Sequence, residues 1–396
     1  MLDLARPQVG RPRVATRSRR LPALAVTAVV GTALLAPLLP AGAAVAGTAA
    51  ATPSASATLA RTSTATAGLF GASDATYDGV FRQGLAITGL VAAGRAVPPA
   101  SLTWLRRQQC ADGSFEAFRA SLATPCRPGD PTTYTGTDTN STALGAMALL
   151  AVGDTRRGRA AASWLRRTQN RDGGFPFYPG GASDANSTGL ALAALRGVGL
   201  TSRQVVRSRA SLSARTYLAR VQAGCSAPVA ARGGIAYQGP APIVPNDLAT
   251  AQAALGAVGT LPVARVRATR PAARLDCGPG RPPSRPTVSA AANGYLAARL
   301  RAGGGTLPNA FGPGPDLSAT AWSVLALVSA RSGPAAIAGA TRALRRNAAD
   351  FVRGRDGTDQ PGALGLLLLV ARATGSSTTS FGGVDLVSRL RATRRG

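Results

Sequence analysis

The chain has 396 residues, and its 45 basic residues outnumber 17 acidic ones for a formal charge of +28, with no His. Every basic residue is Arg, and Glu116 is the single Glu. Without His or Lys, a Ser-His-Asp triad, a His-containing zinc site and a Gly-Lys phosphate loop are excluded. Hydrophobic residues make up 45% and aromatic ones only 5%. A core of Ala, Leu, Val and Gly suits closely approaching helices better than an aromatic-rich β sandwich.

Residues 1–46 read as an export signal: an Arg-rich start, an apolar stretch from Leu21 to Leu39 broken by Pro22 and Pro37, and a small-residue exit at Ala44, Val45 and Ala46. Cleavage is expected near Gly47. Ser18, Arg19 and Arg20 resemble a twin-arginine signal, and Sec export fits equally well. Either route implies a secreted or cell-envelope protein with no stable membrane insertion after cleavage. Residues 47–75, rich in Ala, Thr and Ser, are expected to be a flexible spacer, and residues 76–396 the folded body. Four Cys in an exported chain imply two disulfides. Three pairings are open, of which Cys110 with Cys126 and Cys225 with Cys277 is favoured because each closes a loop between helices.

Within the body a phrase recurs: an aromatic-Leu pair, Gln five positions after the aromatic, then Gly and a Phe or Ile. It runs through Trp104, Leu105, Gln109, Gly113 and Phe115, then Trp164, Leu165, Gln169, Gly173 and Phe175, then Tyr217, Leu218, Gln222, Gly233 and Ile235. Such self-similarity implies stacked supersecondary units. Six helical hairpins follow. The first helices run near residues 77–93, 138–152, 184–198, 247–258, 316–330 and 359–373 and are apolar nearly all round, as for helices surrounded by others. The second helices, near 98–109, 155–169, 202–222, 287–301, 334–352 and 384–393, carry Arg on one face. Gly94, Gly153, Gly199 and Gly259 stand where a left-handed cap ends a helix. This alternation predicts an all-α fold of two concentric layers, closing into a six-hairpin αα-toroid.

The phrase resembles the repeat of the squalene-cyclase and protein-prenyltransferase superfamily (the prenyltransferase and squalene oxidase repeat), whose fold is an αα-toroid. Small exported bacterial members and the helical domain of cobalamin carriers are the most similar in scale. The resemblance implies that Gln109, Gln169 and Gln222 tether outer helices to the next repeat. It does not carry over the chemistry. The cyclases protonate their substrate with an Asp-x-Asp-Asp acid, and here Asp138 is followed by Thr139, Asn140 and Ser141. The prenyltransferases hold zinc with a His that this chain lacks. No catalytic residue, metal ligand or cofactor is assigned.

After each phrase an Asp opens an inner helix: Asp138 with Asn140, Asp184 with Asn186, then Asp247 and Asp316. Asp at such positions accepts the free N–H groups of a first turn, and capping is the first reading of all four. The second reading is a polar ring at one mouth of the toroid, with Tyr134, Tyr178, Tyr237 and Phe311, each of which precedes such an Asp, as an aromatic wall. On that reading the protein binds a bulky small molecule without chemistry of its own, and the likeness to cobalamin carriers implies a corrinoid-like ligand. A separate β domain or a transporter partner would supply the other wall. Two alternatives stand beside it: a terpenoid cyclase or prenyl-chain-processing enzyme using Asp138 or Asp184 as a non-standard acid, and a structural cell-surface protein adhering to anionic polymers through its Arg. The densest Arg cluster, Arg265 to Arg285, lies in Pro/Gly-rich sequence and is expected to be a solvated loop. No specific nucleic-acid module is present.

Overall fold

The computed structural model describes residues 65–206, 211–239, 242–278, 287–310 and 312–396, all within one unit of the chain. The expected export signal, residues 47–64 of the expected spacer, and Phe311 lie outside the described residues.

Six inner helices carry the core: α1 (Gly79–Ala92), α3 (Thr139–Ala151), α5 (Ala185–Gly197), α7 (Asp247–Val258), α9 (Leu317–Ser329) and α12 (Pro361–Thr374). Their outer partners are α2 (Pro99–Gln108), α4 (Thr155–Thr168), α6 (Ala214–Arg220), α8 (Val288–Ala302), α10 (Pro334–Arg346) with the short α11 (Ala348–Phe351), and α13 (Leu386–Ala392). Two two-residue ladders, β1 (Phe175–Pro176) with β2 (Ser183–Asp184) and β3 (Leu307–Pro308) with β4 (Pro315–Asp316), lead into α5 and α9. Two expectations need correction. Of the helix expected over 202–222, the described residues show Ala214–Arg220, which Ser213 starts by accepting the Thr216 N–H at 3.2 Å, while 202–206 are not helical. Asp247 does not cap α7. Asn246 does, accepting from Ala249 N at 2.8 Å, while Asp247 turns sideways to Tyr295 and Arg299.

Each inner helix packs on the next, α1 on α3, α3 on α5, α5 on α7, α7 on α9 and α9 on α12, and α12 returns to α1. The chain is an all-α toroid. Glycine sets how close the inner helices come: a Cβ on Gly256 of α7 would lie 2.0 Å from the Gly189 carbonyl of α5, and one on Gly89 of α1 would lie 2.7 Å from the Gly365 carbonyl of α12. Backbones that approach so closely leave a narrow ring. Its interior is filled, since α3 is buried from Ser141 to Leu149 and α5 from Ala185 to Leu195 on every face.

The expected boundary at residue 76 falls inside this body, because residues 66–71 close the ring. Phe70 and Leu69 are fully buried, and Phe70 pairs with Arg394 just beyond α13 as Phe115 pairs with Gln109 beyond α2. Gly68 abuts the Ala100 carbonyl of α2 as Gly113 abuts that of Ala160 in α4. The last copy of the phrase is therefore split: the C-terminus supplies its helix, and residues 68–70 supply its Gly-Phe end. Gln83 accepts from Phe70 N at 2.9 Å, and the buried Arg82 donates to Phe70 O at 3.1 Å and Ser73 O at 2.8 Å. An ion pair to Asp78 at 2.7 Å holds its charge in the interior.

At the other ends of the inner helices the connection from α7 to α8 forms a strap. Gly94, Gly153 and Gly199 take the left-handed conformation expected of them, but Gly259 is extended (φ −154°), since the chain leaves α7 outward. Val266 N donates to the Ala373 carbonyl at the end of α12, and Arg270 N to Arg331 O beyond α9, both at 3.1 Å. The strap then crosses α8 at Gly294, where a Cβ would lie 2.0 Å from the Ala273 carbonyl. A disulfide from Cys277 to Cys225 fastens it, and a second joins Cys110 to Cys126. Both bonds follow the favoured pairing.

Candidate functional site

The recurring Gln residues are fasteners. Gln109 Nε2 donates to Gly113 O (3.1 Å) and Arg157 O (3.0 Å), Gln169 to Gly173 O (2.8 Å) and Val205 O (3.0 Å), and Gln222 to Gly233 O (2.9 Å) and Val288 O (2.8 Å). Each amide thus joins its own loop to the next outer segment, satisfying carbonyls that the loops leave open. The Thr after each Asp is structural too. Thr142, Thr188, Thr250 and Thr320 accept through Oγ1 from the backbone N of Phe115, Phe175, Ile235 and Leu307 at 2.9–3.0 Å.

What remains at the mouth is asymmetric. Asp138 and Asp184 cap α3 and α5 through Oδ1, accepting from Ser141 N and Ser187 N at 2.7 Å. Their Oδ2 atoms are buried and make no hydrogen bond, as is Oδ1 of Asn140 and of Asn186. Asn186 Nδ2 donates to Gln252 Oε1 at 2.9 Å. Burial pushes the Asp138 carboxyl up to about 7 and that of Asp184 up to about 6, against the Ser141 and Ser187 N–H groups that lower them. Glu116 stands near enough to Asp138 to raise it further, and is itself ion-paired with Arg127 at 2.9 Å.

Aromatic rings cover these acids. The chain folds that way because the first N–H of α3 and of α5 is bonded by the neighbouring repeat: Thr139 N donates to Phe177 O (2.9 Å), and Ala185 N to Tyr237 O (2.8 Å). Tyr178 Oη donates to Tyr134 O at 2.7 Å, and the Tyr134 and Phe177 rings stand edge-on to Tyr178, with centroids 6.2 and 4.7 Å away. Burial raises the phenols of Tyr178 and Tyr237, and the nearby charge of Asp138 and of Asp184, respectively, adds to it. Tyr77 is 81% exposed and Tyr134 73%. Both stand near Tyr178, Tyr134 in ring contact and Tyr77 close enough to act on its phenol, and exposed rings gathered in this way mark a surface built for contact.

Of the ten expected site residues, the structure gathers Asp138, Asn140, Asp184, Asn186, Tyr134, Tyr178 and Tyr237 at this place. Asp247 and Asp316 form a separate pair, with Asp247 held by Tyr295 Oη at 2.7 Å and by Arg299 at 3.0 Å. Tyr77, Glu116 and Arg127 were not foreseen. The single Glu of the chain, directly after a phrase-ending Phe, was the available signal for Glu116; Tyr77 carried none.

The raised carboxyls make a measurable difference to stability. Both groups ionise near pH 4 when unfolded, so between about pH 4 and 7 the folded chain holds protons that the unfolded chain has released. Their contribution is therefore complete in acid and is lost as pH rises through about 6 for Asp184 and about 7 for Asp138. From pH 6 to pH 8 the chain should lose about 1.5 kcal/mol relative to the Asp138→Asn, Asp184→Asn variant, which keeps both caps. Denaturant unfolding at the two pH values measures it, and equal slopes in the two proteins would refute the assignment.

No family model matches the chain, and no curated protein does. Among solved structures it is similar to a protein from Actinoplanes, at 15% identity over 74% of this chain and 90% of that one, with a TM-score of 0.45. Another is the ent-copalyl diphosphate synthase from Streptomyces platensis, at 18% identity over 75% of this chain, with a TM-score of 0.46; the match spans half of that enzyme. The type II terpene cyclase MstE from Scytonema matches at 15% identity over 70% of each chain, with a TM-score of 0.41. No residue role is transferred from them.

Proposed function

We propose that the protein is a terpenoid-cyclase-like toroid that binds a ligand or partner at the aromatic mouth and performs no chemistry. The observation that supports this reading is the combination of a filled ring with an exposed aromatic surface over two buried carboxyls. A cyclase needs room for a chain-like substrate and aromatic faces around its cation; here the inner helices bury their faces against one another, and the rings stand outside. The ligand class is a bulky molecule with a flat apolar face, for which a corrinoid is the candidate that the likeness to cobalamin carriers suggests, with a β domain or transporter as the opposite wall.

Titration of the purified protein with a corrinoid panel, followed by absorbance and heat, tests the reading. Binding should weaken at least tenfold in Tyr134→Ala and in Tyr77→Ala, as expected when an aromatic anchor is removed (about 1.4 kcal/mol or more). Absence of binding across the panel would sink the corrinoid proposal. Conversion of a polyprenyl substrate that Asp138→Asn abolishes would replace the binding reading with an enzymatic one.

A further inference from the structure

A second surface, unconnected with the aromatic mouth, carries chemistry of its own. Where the strap crosses the ends of α9 and α12 it forms a cleft of about 310 Å³ against α10. Four guanidinium-bearing residues line it: Arg265 and Arg267 from the strap, Arg342 and Arg345 from α10. All four are exposed, no carboxylate lines the cleft, and none of the four is ion-paired among the described residues. Like charges gathered round one concavity repel each other, and an anion bound there removes that repulsion.

The floor is apolar, formed by Val266, Val328 and Ile337. Within it one polar atom stands out. Thr341 is only 8% exposed, and its Oγ1 has no hydrogen-bond partner, although a buried hydroxyl normally has one. It lies one turn before Arg345 on the α10 face that lines the cleft. The strap is held in place on both sides, by the Val266 bond to Ala373 and by the Cys225–Cys277 disulfide, so the strap arginines are presented by an anchored segment. Arg265 lies across Gly375, with its Nε 2.6 Å from where a Cβ would be.

We infer that this cleft binds a phosphate group that carries an apolar portion. Guanidinium forks match phosphate oxygens, which accept several charge-assisted hydrogen bonds at once, and the Thr341 hydroxyl supplies one more. The apolar floor takes the remainder of the ligand, and its volume limits that remainder to a short chain or a single ring. The sequence shows this Arg cluster only as a solvated loop; the fold sets two of its six arginines, Arg265 and Arg267, opposite Arg342 and Arg345.

Calorimetric titration of the full chain with decyl phosphate below its micelle concentration tests the site, with inorganic phosphate and octyl glucoside as separate arms. Decyl phosphate should bind at least tenfold more tightly than inorganic phosphate, octyl glucoside should not bind, and rising salt should weaken the interaction. Arg342→Ala with Arg345→Ala, both exposed on α10, should lower the affinity at least tenfold, and Thr341→Val should lower it by a smaller factor, with the thermal midpoint of the arginine pair unchanged. No binding of decyl phosphate, equal affinity in the double arginine variant, or inorganic phosphate binding as tightly as decyl phosphate would each overturn the proposal. None of these outcomes bears on the aromatic mouth, whose variants leave the cleft intact.

Discussion

Replacing Phe70 by Ala should cost about 3 to 5 kcal/mol, as much as emptying a fully buried aromatic site in the middle of a core. Residues near the edge of a folded body usually tolerate substitution, because few contacts tie them down. Phe70 is the exception because the ring has no edge. It is fully buried, its N–H is held by Gln83, its carbonyl by Arg82, and it pairs with Arg394 at the far end of the described chain. Phe115→Ala, which empties the equivalent site after α2, gives the reference value. Denaturant unfolding of both variants measures the two losses, and a cost below about 1 kcal/mol for Phe70→Ala would mean that the segment does not close the ring.

The six hairpins were legible because their signals are local. All-round apolarity marks the inner helices, an Asp stands at or beside the start of most of them, and Gln after an aromatic-Leu pair marks the end of three outer ones; the first and last inner helices begin within two residues of their expected starts. The disulfides were legible because all four Cys stand in segments between helices; Cys110–Cys126 closes one such loop, whereas Cys225–Cys277 joins the loops on either side of α7. The closure was not, since it divides one copy of the phrase between residues 68–70 and 386–394, and no window along the sequence spans that separation. Nor was the role of Asn246, which differs from the Asp of other repeats by one position and takes the cap from Asp247. The filled interior escaped for a related reason: apolarity shows that inner helices are buried, while the distance between them depends on which glycines of different helices meet. At the candidate site, Asp138 and Asp184 were found from their spacing, but their separation from Asp247 and Asp316 comes from Tyr295 and Arg299 of α8, which sequence periodicity assigned to the outer layer.

The glycines that set the ring diameter give the other large effect. Gly189→Leu should prevent folding, and even Gly189→Ala should cost about 3 kcal/mol, at the upper end of what overpacking imposes. Helix propensity alone argues the opposite sign, since Ala is favoured over Gly inside a helix by about 1 kcal/mol. Geometry decides between them. A Cβ on Gly189 would lie 2.4 Å from the backbone of Gln252 and 2.5 Å from Ala253 N, so no flexible side chain can yield, and α5 would have to move off α7. Such a movement cannot stay local, because α5 and α7 are links in a closed ring whose remaining contacts fix its circumference. Gly339→Ala is the matched control. It too lies inside a helix, α10, with nothing within 4 Å of the added methyl, and there propensity should act alone and raise stability by about 0.5 to 1 kcal/mol. Thermal and denaturant unfolding of the pair should therefore give shifts of opposite sign. If Gly189→Ala were as stable as Gly339→Ala, the inner helices would be farther apart than described, and the ring would have room for the chain-like substrate that its packing now excludes.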